Sequence, residues 1–382
     1  MKKVCFITTV SLTLRTFFLP QMEYIKEKHK DWEIYCICDS DDTVDKLGDS
    51  VNYIPVNITR GASLSGISSV FSLLKVFRKY KFDMIVYSTP NAAFYSSIAG
   101  KLAGIKKRLY CQWGIRYVGF SGKARKIFKA IEKITCKLST HINAVSVMNR
   151  QFAIDEKLYP EKKATVVGNG GTIGVDLSDF QLSEYDEMRN KVRNELGVTD
   201  QTLFGFVGRI CKDKGSKELL EAVKMFDDTD NIKLVCVGGD ELNSGDIPES
   251  LLEWARQSNR IIFTGEISPE IIKGYYAAFD VLVHPTYREG FGMVLQEAGA
   301  MCCPIITTEI PGASEVMDNG SSCLLIPVKD SEALFDAMKR ISSDKSLCEA
   351  MGKNARLKVE ECYERSLMLN NQLERYESLL EA

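Results

Sequence analysis

Short apolar segments alternate with longer segments of helical periodicity along this chain of 382 residues. A few consecutive apolar residues favour a buried strand, and apolar residues three and four positions apart favour a helix. Alternating strands and helices form parallel sheets that helices cover on both faces. The sequence therefore predicts an α/β fold, with strands near residues 4–9, 34–38, 84–87, 108–111, 142–145, 203–207, 233–237, 261–263, 281–283, 305–307 and 324–326.

A glycine-rich connector, residues 168–174, separates the two series of strands. We predict two doubly wound, Rossmann-like domains, at residues 1–168 and 169–360, which face a central cleft. In open α/β sheets, ligands bind outside the carboxyl ends of the strands. Two such edges are expected to hold a donor on one side of the cleft and an acceptor on the other.

Charge, cysteines and hydropathy narrow the class of protein. Residues 1–180 hold 27 Lys and Arg against 16 Asp and Glu, whereas the remainder holds 22 against 35. Twelve cysteines are scattered through apolar segments without zinc-type spacing, which indicates reduced thiols in the cytoplasm. Three histidines argue against a histidine-based metal site, and no apolar run of about 18 residues predicts a membrane-spanning helix.

The segment from Pro285 to Glu297 joins a predicted strand to a predicted helix through a loop with two glycines. Such a junction lets backbone N–H groups and a helix N-terminus approach a phosphate. The helix rises by roughly 7–8 Å from Gly292 to Glu297, about the reach from a diphosphate to the nucleotide ribose. Glu289 lies on the other side of that phosphate, where a sugar would be. Helix-dipole complementation for Glu289 and an ordinary surface role for Glu297 are the simpler alternatives.

A second strand end carries positive charge. The strand at 203–207 ends at Gly208, and Arg209 and Lys214 follow it. A guanidinium can bind two phosphate oxygens at once, and an ammonium acts as a point charge. Together they could neutralise a diphosphate leaving group, and a solvated basic turn is the alternative.

The chain thus carries two motifs. The first is Gly-Arg with a following Lys-Gly, and the second is Pro-Thr-x-x-Glu-Gly-Phe-Gly with a second Glu eight positions after the first. Both resemble the motifs of retaining GT-B glycosyltransferases of family 4. The resemblance covers essentially the whole chain and is closer to the branch that builds bacterial capsule and O-antigen. It implies that Arg209 and Lys214 hold the donor diphosphate, that Glu289 contacts the donor sugar and that Glu297 binds the ribose. It also implies that a C-terminal helix, about 361–382, packs back on the first domain. The donor-binding set that it implies further includes Gly208, Thr264, Gly265, Gly290, Phe291, Gly292, Met293 and Val294.

The first domain departs from the family pattern. Where this branch usually has His-Gly-Leu-Arg-Tyr, the chain has Trp113 in the position of the His, with Gln112 before it. A Trp could stack on a sugar ring or could be an ordinary buried aromatic. The first loop, residues 8–15, lacks the GxGxxG pattern of a nicotinamide site, and no cofactor is expected. The residues predicted to line the acceptor side are Thr9, Leu14, Arg15, Gln112, Trp113, Gly114, Arg116 and Gly171.

A basic stretch from Lys101 to Lys137 holds 11 Lys and Arg and one acid, Glu132. Apolar residues at 127, 128, 131, 134 and 138 recur there at helical spacing. A basic amphipathic helix is typical of membrane-surface contact, and anionic headgroups attract each nearby cation by about 1 kcal/mol. The alternative is a solvated helix whose apolar side belongs to the core. Nucleic acid is not expected, because no groove-reading motif accompanies the charge.

The predicted function is a retaining, metal-independent hexosyltransferase at the inner face of the cell membrane. It would move a sugar from a nucleotide-diphosphate donor, a UDP-sugar by expectation, to a lipid-diphosphate-linked glycan in surface polysaccharide synthesis. Two alternatives stay open. One is a non-catalytic GT-B subunit that binds a nucleotide-sugar or acts as a scaffold, and the other is a nucleotide-sugar 2-epimerase.

Overall fold

The computed structural model describes residues 1–40, 44, 51–59, 66–239, 241 and 246–381. The chain divides into two compact units. One unit comprises Met1–Ile173 together with Ser366–Ala382, and the other comprises Gly174–Arg365. The divisions predicted from the sequence lie after residues 168 and 360.

The first unit contains a seven-stranded parallel sheet in the order β3-β2-β1-β4-β5-β6-β7. Its central strands are buried on both faces, because helices cover both sides of the sheet. The strands are β1 (Lys2–Ile7), β2 (Trp32–Cys38), β3 (Asn52–Pro55), β4 (Met84–Tyr87), β5 (Lys107–Gln112), β6 (His141–Ala144) and β7 (Ala164–Val166). The helices are α1 (Ser11–Phe17), α2 (Leu19–Lys28), α3 (Gly66–Tyr80), α4 (Pro90–Leu102), α5 (Gly122–Leu138) and α6 (Val147–Asp155).

The segment predicted as the first loop, residues 8–15, is mostly helical. α1 begins at Ser11, so that only three residues link it to β1. Leu14 and Phe18 lie one helical turn apart and are both fully buried, which explains why a helix forms here. Pro20 lies at the start of α2, where its missing N–H costs nothing, and the two helices divide at Phe18.

The last helix, α14 (Arg365–Glu381), packs against the core of the first unit. Leu373, Tyr376 and Leu379 lie on one side of this helix and are buried in the same apolar cluster as β1. The Tyr376 ring meets the Phe6 ring edge-on at 5.7 Å. Its hydroxyl donates a hydrogen bond to Gln21 Oε1 at 2.5 Å.

The second unit contains a six-stranded parallel sheet in the order β10-β9-β8-β11-β12-β13. The strands are β8 (Thr202–Val207), β9 (Ile232–Val237), β10 (Ile261–Gly265), β11 (Val281–His284), β12 (Ile305–Thr308) and β13 (Cys323–Ile326). The helices are α7 (Tyr185–Glu195), α8 (Ser216–Lys224), α9 (Glu249–Gln257), α10 (Pro269–Ala278), α11 (Met293–Ala300), α12 (Ser331–Ser343) and α13 (Lys345–Cys362).

Both sheets are doubly wound, which confirms the predicted fold class of two parallel-sheet, Rossmann-like domains. Every predicted strand is present, and two further strands, β3 and β7, lie at the edges of the first sheet. In each sheet the strand order reverses at one point, between β1 and β4 in the first and between β8 and β11 in the second. The carboxyl ends of strands at such a point are where an open α/β sheet binds its ligand.

Candidate active site

The two charged loops predicted from the sequence follow neighbouring strands of the second unit. β8 and β11 pair in parallel, with Phe204 opposite Val281, so their carboxyl ends lie side by side. Arg209 and Lys214 follow β8, and Glu289 follows β11. These three side chains therefore leave the sheet at its switch point.

The structure brings Lys214 and Glu289 together. Lys214 Nζ lies 2.7 Å from Glu289 Oε2, and both side chains are about four-fifths buried. The backbone N–H of Gly290 donates to the other carboxylate oxygen, Oε1, at 3.0 Å. The ion pair therefore lies in a partly desolvated place, where it is stronger than on an open surface.

A third group, His284, completes this cluster and was not predicted from the sequence. It is the last residue of β11 and is fully buried, and its Nε2 lies 3.1 Å from Glu289 Oε2. The strand predicted from the sequence ends at Val283, and the small number of histidines, three, argues against a histidine-based site. A polar residue that closes an apolar strand directly before the loop was the signal that could have found it.

Burial and these two donors act on the Glu289 carboxyl in opposite directions. Burial alone would raise the pKa of Glu289, but the hydrogen bond from His284 and the charge of Lys214 outweigh it. The pKa of Glu289 is therefore held well below its usual range, and the carboxylate stays ionised. Burial lowers the pKa of His284, which keeps that imidazole neutral.

Backbone contacts hold the turn of Lys214 against the loop of Glu289. The Asp213 carbonyl oxygen accepts the Tyr287 N–H at 2.8 Å and the Thr286 hydroxyl at 3.1 Å. The Asp213 carboxylate also pairs with Arg288 at 2.8 Å. Gly215 has φ of +69°, and a Cβ there would lie 2.0 Å from the Pro285 carbonyl oxygen. The approach of Lys214 to Glu289 is thus set by main-chain packing.

Arg209 leaves the same strand end but is not brought to Glu289. Its side chain is 56% exposed and forms an ion pair with Glu241, which is similarly exposed. Gly208 precedes it, and a Cβ on Gly238 would lie 2.1 Å from the Gly208 carbonyl oxygen. The ends of β8 and β9 are therefore packed backbone against backbone at this edge.

The loop between Glu289 and α11 provides main-chain groups. Gly292 precedes α11 with a left-handed conformation, φ +37° and ψ 58°, and Met293 and Val294 form the first turn of the helix. The Phe291 side chain is buried with its ring edge-on to Tyr363 at 5.6 Å, so that Phe291 can offer a ligand only its backbone. A Cβ on Gly312 would lie 2.1 Å from the Gly290 carbonyl oxygen. The close approach of these two segments therefore requires a glycine at position 312.

Glu297 lies in the second turn of α11 and is half-buried. The Tyr276 hydroxyl donates to its Oε2 at 2.7 Å. Burial raises the pKa of Glu297, while this hydrogen bond and the charge of Arg365 partly oppose the rise. Its Oε1 keeps the capacity to accept further hydrogen bonds.

Thr264 and Gly265 end β10, at the same edge but two strands away from β8. The Thr264 hydroxyl donates to the Cys236 carbonyl at 3.3 Å and the Gly265 carbonyl at 3.0 Å. Gly265 is exposed with φ of +69°. These residues lie apart from the Lys214–Glu289 pair.

Two residues predicted for the acceptor side are placed differently from the prediction. Leu14 is fully buried in the apolar core of the first unit. Gln112 is also buried: its amide donates to Glu132 at 2.5 Å and accepts the Tyr159 hydroxyl at 2.9 Å. Strand alternation places the Gln112 side chain on the face of the sheet that α5 covers, where Glu132 lies.

Trp113 is half-buried and packs on two aromatic rings. Its ring centroid lies 4.9 Å from those of both Phe17 and Phe18. These contacts favour the interpretation of Trp113 as a packing residue over that of a free stacking face.

The remaining predicted residues of the first unit surround its strand ends. The Thr9 N–H donates to Thr89 Oγ1 at 3.1 Å, which links the ends of β1 and β4. Arg116 lies over the Phe128 ring at 4.6 Å. Gly114 is the second residue after β5, and the Gly171 N–H donates to the Val145 carbonyl at 2.7 Å. Arg15 has one buried guanidinium nitrogen, Nη1, without a hydrogen-bond partner among the described residues.

Three global properties concern the described residues only. No cluster of three or more His, Cys, Asp and Glu there has the geometry to hold a metal ion. All twelve cysteines are described, and none of them forms a disulfide. No described helix is both long and apolar enough to cross a membrane.

Two family models match the chain. Residues 3–146 match the model "Glycosyl transferase 4-like", and residues 188–358 match "Glycosyl transferases group 1". The capsular polysaccharide biosynthesis glycosyltransferase CapM of Staphylococcus aureus is 29% identical over 94% of this chain and 92% of its own length. An Escherichia coli UDP-Gal:alpha-D-GlcNAc-diphosphoundecaprenol alpha-1,3-galactosyltransferase is 26% identical over 87% of this chain and 85% of its own.

Solved structures share the fold over the full length. The Anabaena protein Alr3699/HepE, crystallised with UDP-glucose, superposes with a TM-score of 0.79 at 18% identity. The match covers 99% of this chain and all of that one. At this identity the likeness concerns the fold alone.

Proposed function

The chain belongs to the family 4-like glycosyltransferases of the GT-B fold. From that premise we propose that it moves a hexose-type sugar from a UDP-sugar to a lipid-diphosphate-linked saccharide. The proposed product belongs to surface polysaccharide synthesis. The observation that carries the proposal is the cluster of Lys214, Glu289 and His284 at the β8/β11 switch point. An ionised carboxylate suits sugar hydroxyls, and the adjacent ammonium suits a phosphate.

The diphosphate of the donor would bind between Lys214, Arg209 and the start of α11. Lys214 has three N–H donors, so it can keep Glu289 and still bind a phosphate oxygen. The exposed pair of Arg209 with Glu241 is worth at most about 1 kcal/mol, so Arg209 can exchange Glu241 for a phosphate at little cost. The cations and the helix N-terminus would stabilise the negative charge that develops on the leaving diphosphate.

The proposed reaction retains the anomeric configuration. The bond between the anomeric carbon and the diphosphate oxygen breaks, and the acceptor oxygen bonds to the same face of that carbon. The acceptor hydroxyl proton goes to the leaving phosphate oxygen. Since Lys214 and Arg209 supply positive charge, the proposed reaction needs no metal ion.

The donor and acceptor classes follow from the relatives together with the site. HepE was crystallised with UDP-glucose, and the E. coli relative takes UDP-Gal and a diphosphoundecaprenol-linked GlcNAc. We carry both classes over to this chain as a proposal. Glu297, with one carboxylate oxygen on Tyr276, would accept hydrogen bonds from the ribose with the other.

A lipid-linked acceptor requires the protein to meet a membrane, and α5 is the proposed contact. Ile127 and Ile134 lie two helical turns apart on this helix and are 54% and 42% exposed. From the sequence alone, both residues fall on the apolar side of the helix, for which burial in the core is the alternative. In the structure they face outward among exposed lysines: Lys123, Lys126, Lys133 and Lys137. Exposed apolar residues ringed by lysine suit an anionic membrane surface.

A neighbouring helix has a similar exposed face. α3 and α5 both pack on α4, and α3 exposes Ile67 and Phe71 together with Lys75 and Arg78. Contact through two helices would bring the protein to the inner face of the cell membrane as a peripheral protein. Binding of this kind is expected to weaken as salt is raised.

The test is a panel of UDP-sugars, each incubated with the purified protein and vesicles that contain polyprenyl-diphosphate-linked GlcNAc. We expect one sugar to yield UDP and a glycosylated lipid. Tight donor binding without UDP release would favour a non-catalytic subunit. Conversion of the free UDP-sugar into its 2-epimer would favour an epimerase, and either result would overturn the proposal.

A further inference from the structure

We propose that His284 is a positioning residue, which holds the Glu289 carboxylate in place while Lys214 is shared with the donor diphosphate. The inference rests on the proposed function, because it concerns the same donor site. It adds a residue that lies in β11 and is expected to touch neither the donor nor the acceptor.

The carboxylate oxygens of Glu289 are used unequally. Oε2 faces both His284 Nε2, at 3.1 Å, and Lys214 Nζ, at 2.7 Å. Among the residues that the structure describes, Oε1 receives one hydrogen bond, from the Gly290 N–H at 3.0 Å. An ionised carboxylate oxygen has about two acceptor sites. Oε2 is therefore filled, and Oε1 keeps a site for a sugar hydroxyl.

The main chain of His284 is fixed from two sides. Its carbonyl accepts the Thr307 hydroxyl at 3.0 Å and the Thr286 N–H at 2.9 Å. In the sheet, His284 lies opposite Thr307 of β12. The imidazole consequently has little freedom to follow a moving partner.

The protonation state of His284 follows from its surroundings. Burial lowers the pKa of the imidazole, and the charge on Lys214 lowers it further. The hydrogen bond to Glu289 raises this pKa, but the net shift is downward. A neutral imidazole has one N–H, and a carboxylate neighbour at Nε2 places it there. Nδ1 is buried and has no partner among the described residues. The expected form is a neutral ring with its proton on Nε2.

Lys214 and His284 therefore have different proposed roles. Lys214 carries a charge for which a diphosphate and Glu289 both compete. His284 carries no charge and is fully buried, so the incoming phosphate cannot take its N–H. The Glu289 carboxylate therefore keeps one fixed donor when Lys214 turns toward the phosphate, and its Oε1 stays aimed at the sugar.

Two substitutions of equal length separate this role from a packing role. His284→Gln keeps an N–H near the position of Nε2, and His284→Met removes it. We expect His284→Gln to keep kcat within about threefold, and His284→Met to lower kcat by about 10- to 100-fold, the range for a hydrogen bond to a charged group. The KM for the donor should change little, because the diphosphate contacts remain.

The pH profile gives a readout that packing alone would not move. Without the His284 donor, the pKa of Glu289 rises toward its ordinary value, and the acid limb of kcat/KM should shift to higher pH in His284→Met but not in His284→Gln. Equal losses in both variants, with an unmoved acid limb, would overturn the positioning role. Thermal melting of both variants shows whether they are folded.

A donor-free measurement tests the geometry directly. The chain has only three histidines, so ¹⁵N imidazole spectra can resolve each of them. We expect one ring with its proton on Nε2 that stays neutral across the pH range in which an ordinary histidine titrates. Its signal should disappear in His284→Gln and shift in Glu289→Gln. A His284 ring protonated on Nδ1, or one that titrates in this range, would overturn the inference.

Failure of the proposed function and failure of the inference about His284 give different results. If the wild-type protein transfers no sugar from any donor, the proposed function fails, and the positioning role fails with it even where the spectra are as expected. If transfer occurs and the spectra or the acid limb are not as expected, only the inference about His284 fails.

Discussion

Three donors of different kinds hold the Glu289 carboxylate: an ammonium, a neutral imidazole and a backbone N–H. The hydrogen bond from His284 and the charge of Lys214 outweigh the effect of burial and hold the pKa of Glu289 well below its usual range. At the scale of single residues, the proposed donor site thus contains a preorganised carboxylate, and we propose that its Oε1 accepts a hydrogen bond from the ligand. This charge state also has a consequence for stability.

A group whose pKa is lower in the folded state stabilises the fold above its unfolded pKa and loses that contribution as the pH falls. For Glu289 the ordinary value is 4.5, so the loss begins near that pH and continues below it. Glu289→Gln should therefore be less stable than the wild type at pH 7, and the gap should narrow by about 1 kcal/mol by pH 3.5. Urea denaturation of both proteins at the two pH values measures this.

The comparison contains its own control, because the titrating groups that do not contact Glu289 are the same in both proteins. A gap that stays constant or widens between pH 7 and pH 3.5 would mean that the pKa of Glu289 is not lowered.

At the scale of elements, glycines decide how the loops after β8 and β11 meet. Gly312 has φ of +83°, and a Cβ there would lie 2.1 Å from the Gly290 carbonyl oxygen and 2.8 Å from that of Glu289. A side chain at this position must displace the loop that carries Glu289. The position of Glu289 therefore depends on a segment outside its own loop.

Gly312→Ala should lower the transfer activity strongly, because Glu289 and Lys214 would no longer meet at 2.7 Å. Gly320→Ala is the matched control: Gly320 has φ of +76° in the same unit, with nothing within 4 Å of an added Cβ. Both variants carry the left-handed strain of about 1–2 kcal/mol. Transfer assays and melting curves of the pair separate this strain from displacement of the loop, and equal activity in the two variants would contradict the account.

The sequence predicts the strands and the two charged loops because apolar runs and glycines leave a local pattern. Lys214 and Glu289 could be predicted for that reason, although their contact depends on the pairing of β8 with β11. His284 was missed: its one local signal is a polar residue that closes an apolar strand, and its role appears only beside Glu289. Leu14 was misjudged because the sequence analysis took residues 8–15 as a loop, whereas helix α1 turns Leu14 into the core.

At the scale of the whole molecule, the charge is divided between the two halves of the sequence. Residues 1–180 have an excess of cations, and the remainder has an excess of acids. The cationic half includes α5, with its exposed Ile127 and Ile134. The acidic half includes the cluster of Lys214, Glu289 and His284, which is proposed to bind the donor. Its Lys214 is a positive charge in a half of the sequence where acids predominate. Membrane contact is accordingly proposed for the first half and donor binding for the second.

Replacement of both Ile127 and Ile134 by Ser should weaken co-sedimentation with anionic vesicles by at least about tenfold, since each isoleucine contributes roughly 1.5–3 kcal/mol when fully buried. Ile271→Ser is the control, because Ile271 is 51% exposed on α10 of the second unit. We expect the control to bind like the wild type and all three proteins to bind less at high salt. Unchanged binding of the double variant would rule out α5 as the contact.

The most direct test of the proposed donor site is the transfer of a radiolabelled sugar from its UDP-sugar to polyprenyl-diphosphate-linked GlcNAc in vesicles. The wild type, Glu289→Gln and Arg209→Ala are compared at saturating acceptor. The account predicts transfer by the wild type and a loss of about 100-fold or more in each variant, the size of effect seen when one charge-stabilising group is removed from an active site. Full activity of Glu289→Gln would contradict it, because no donor site built on Lys214, Glu289 and His284 could then be carrying out the reaction.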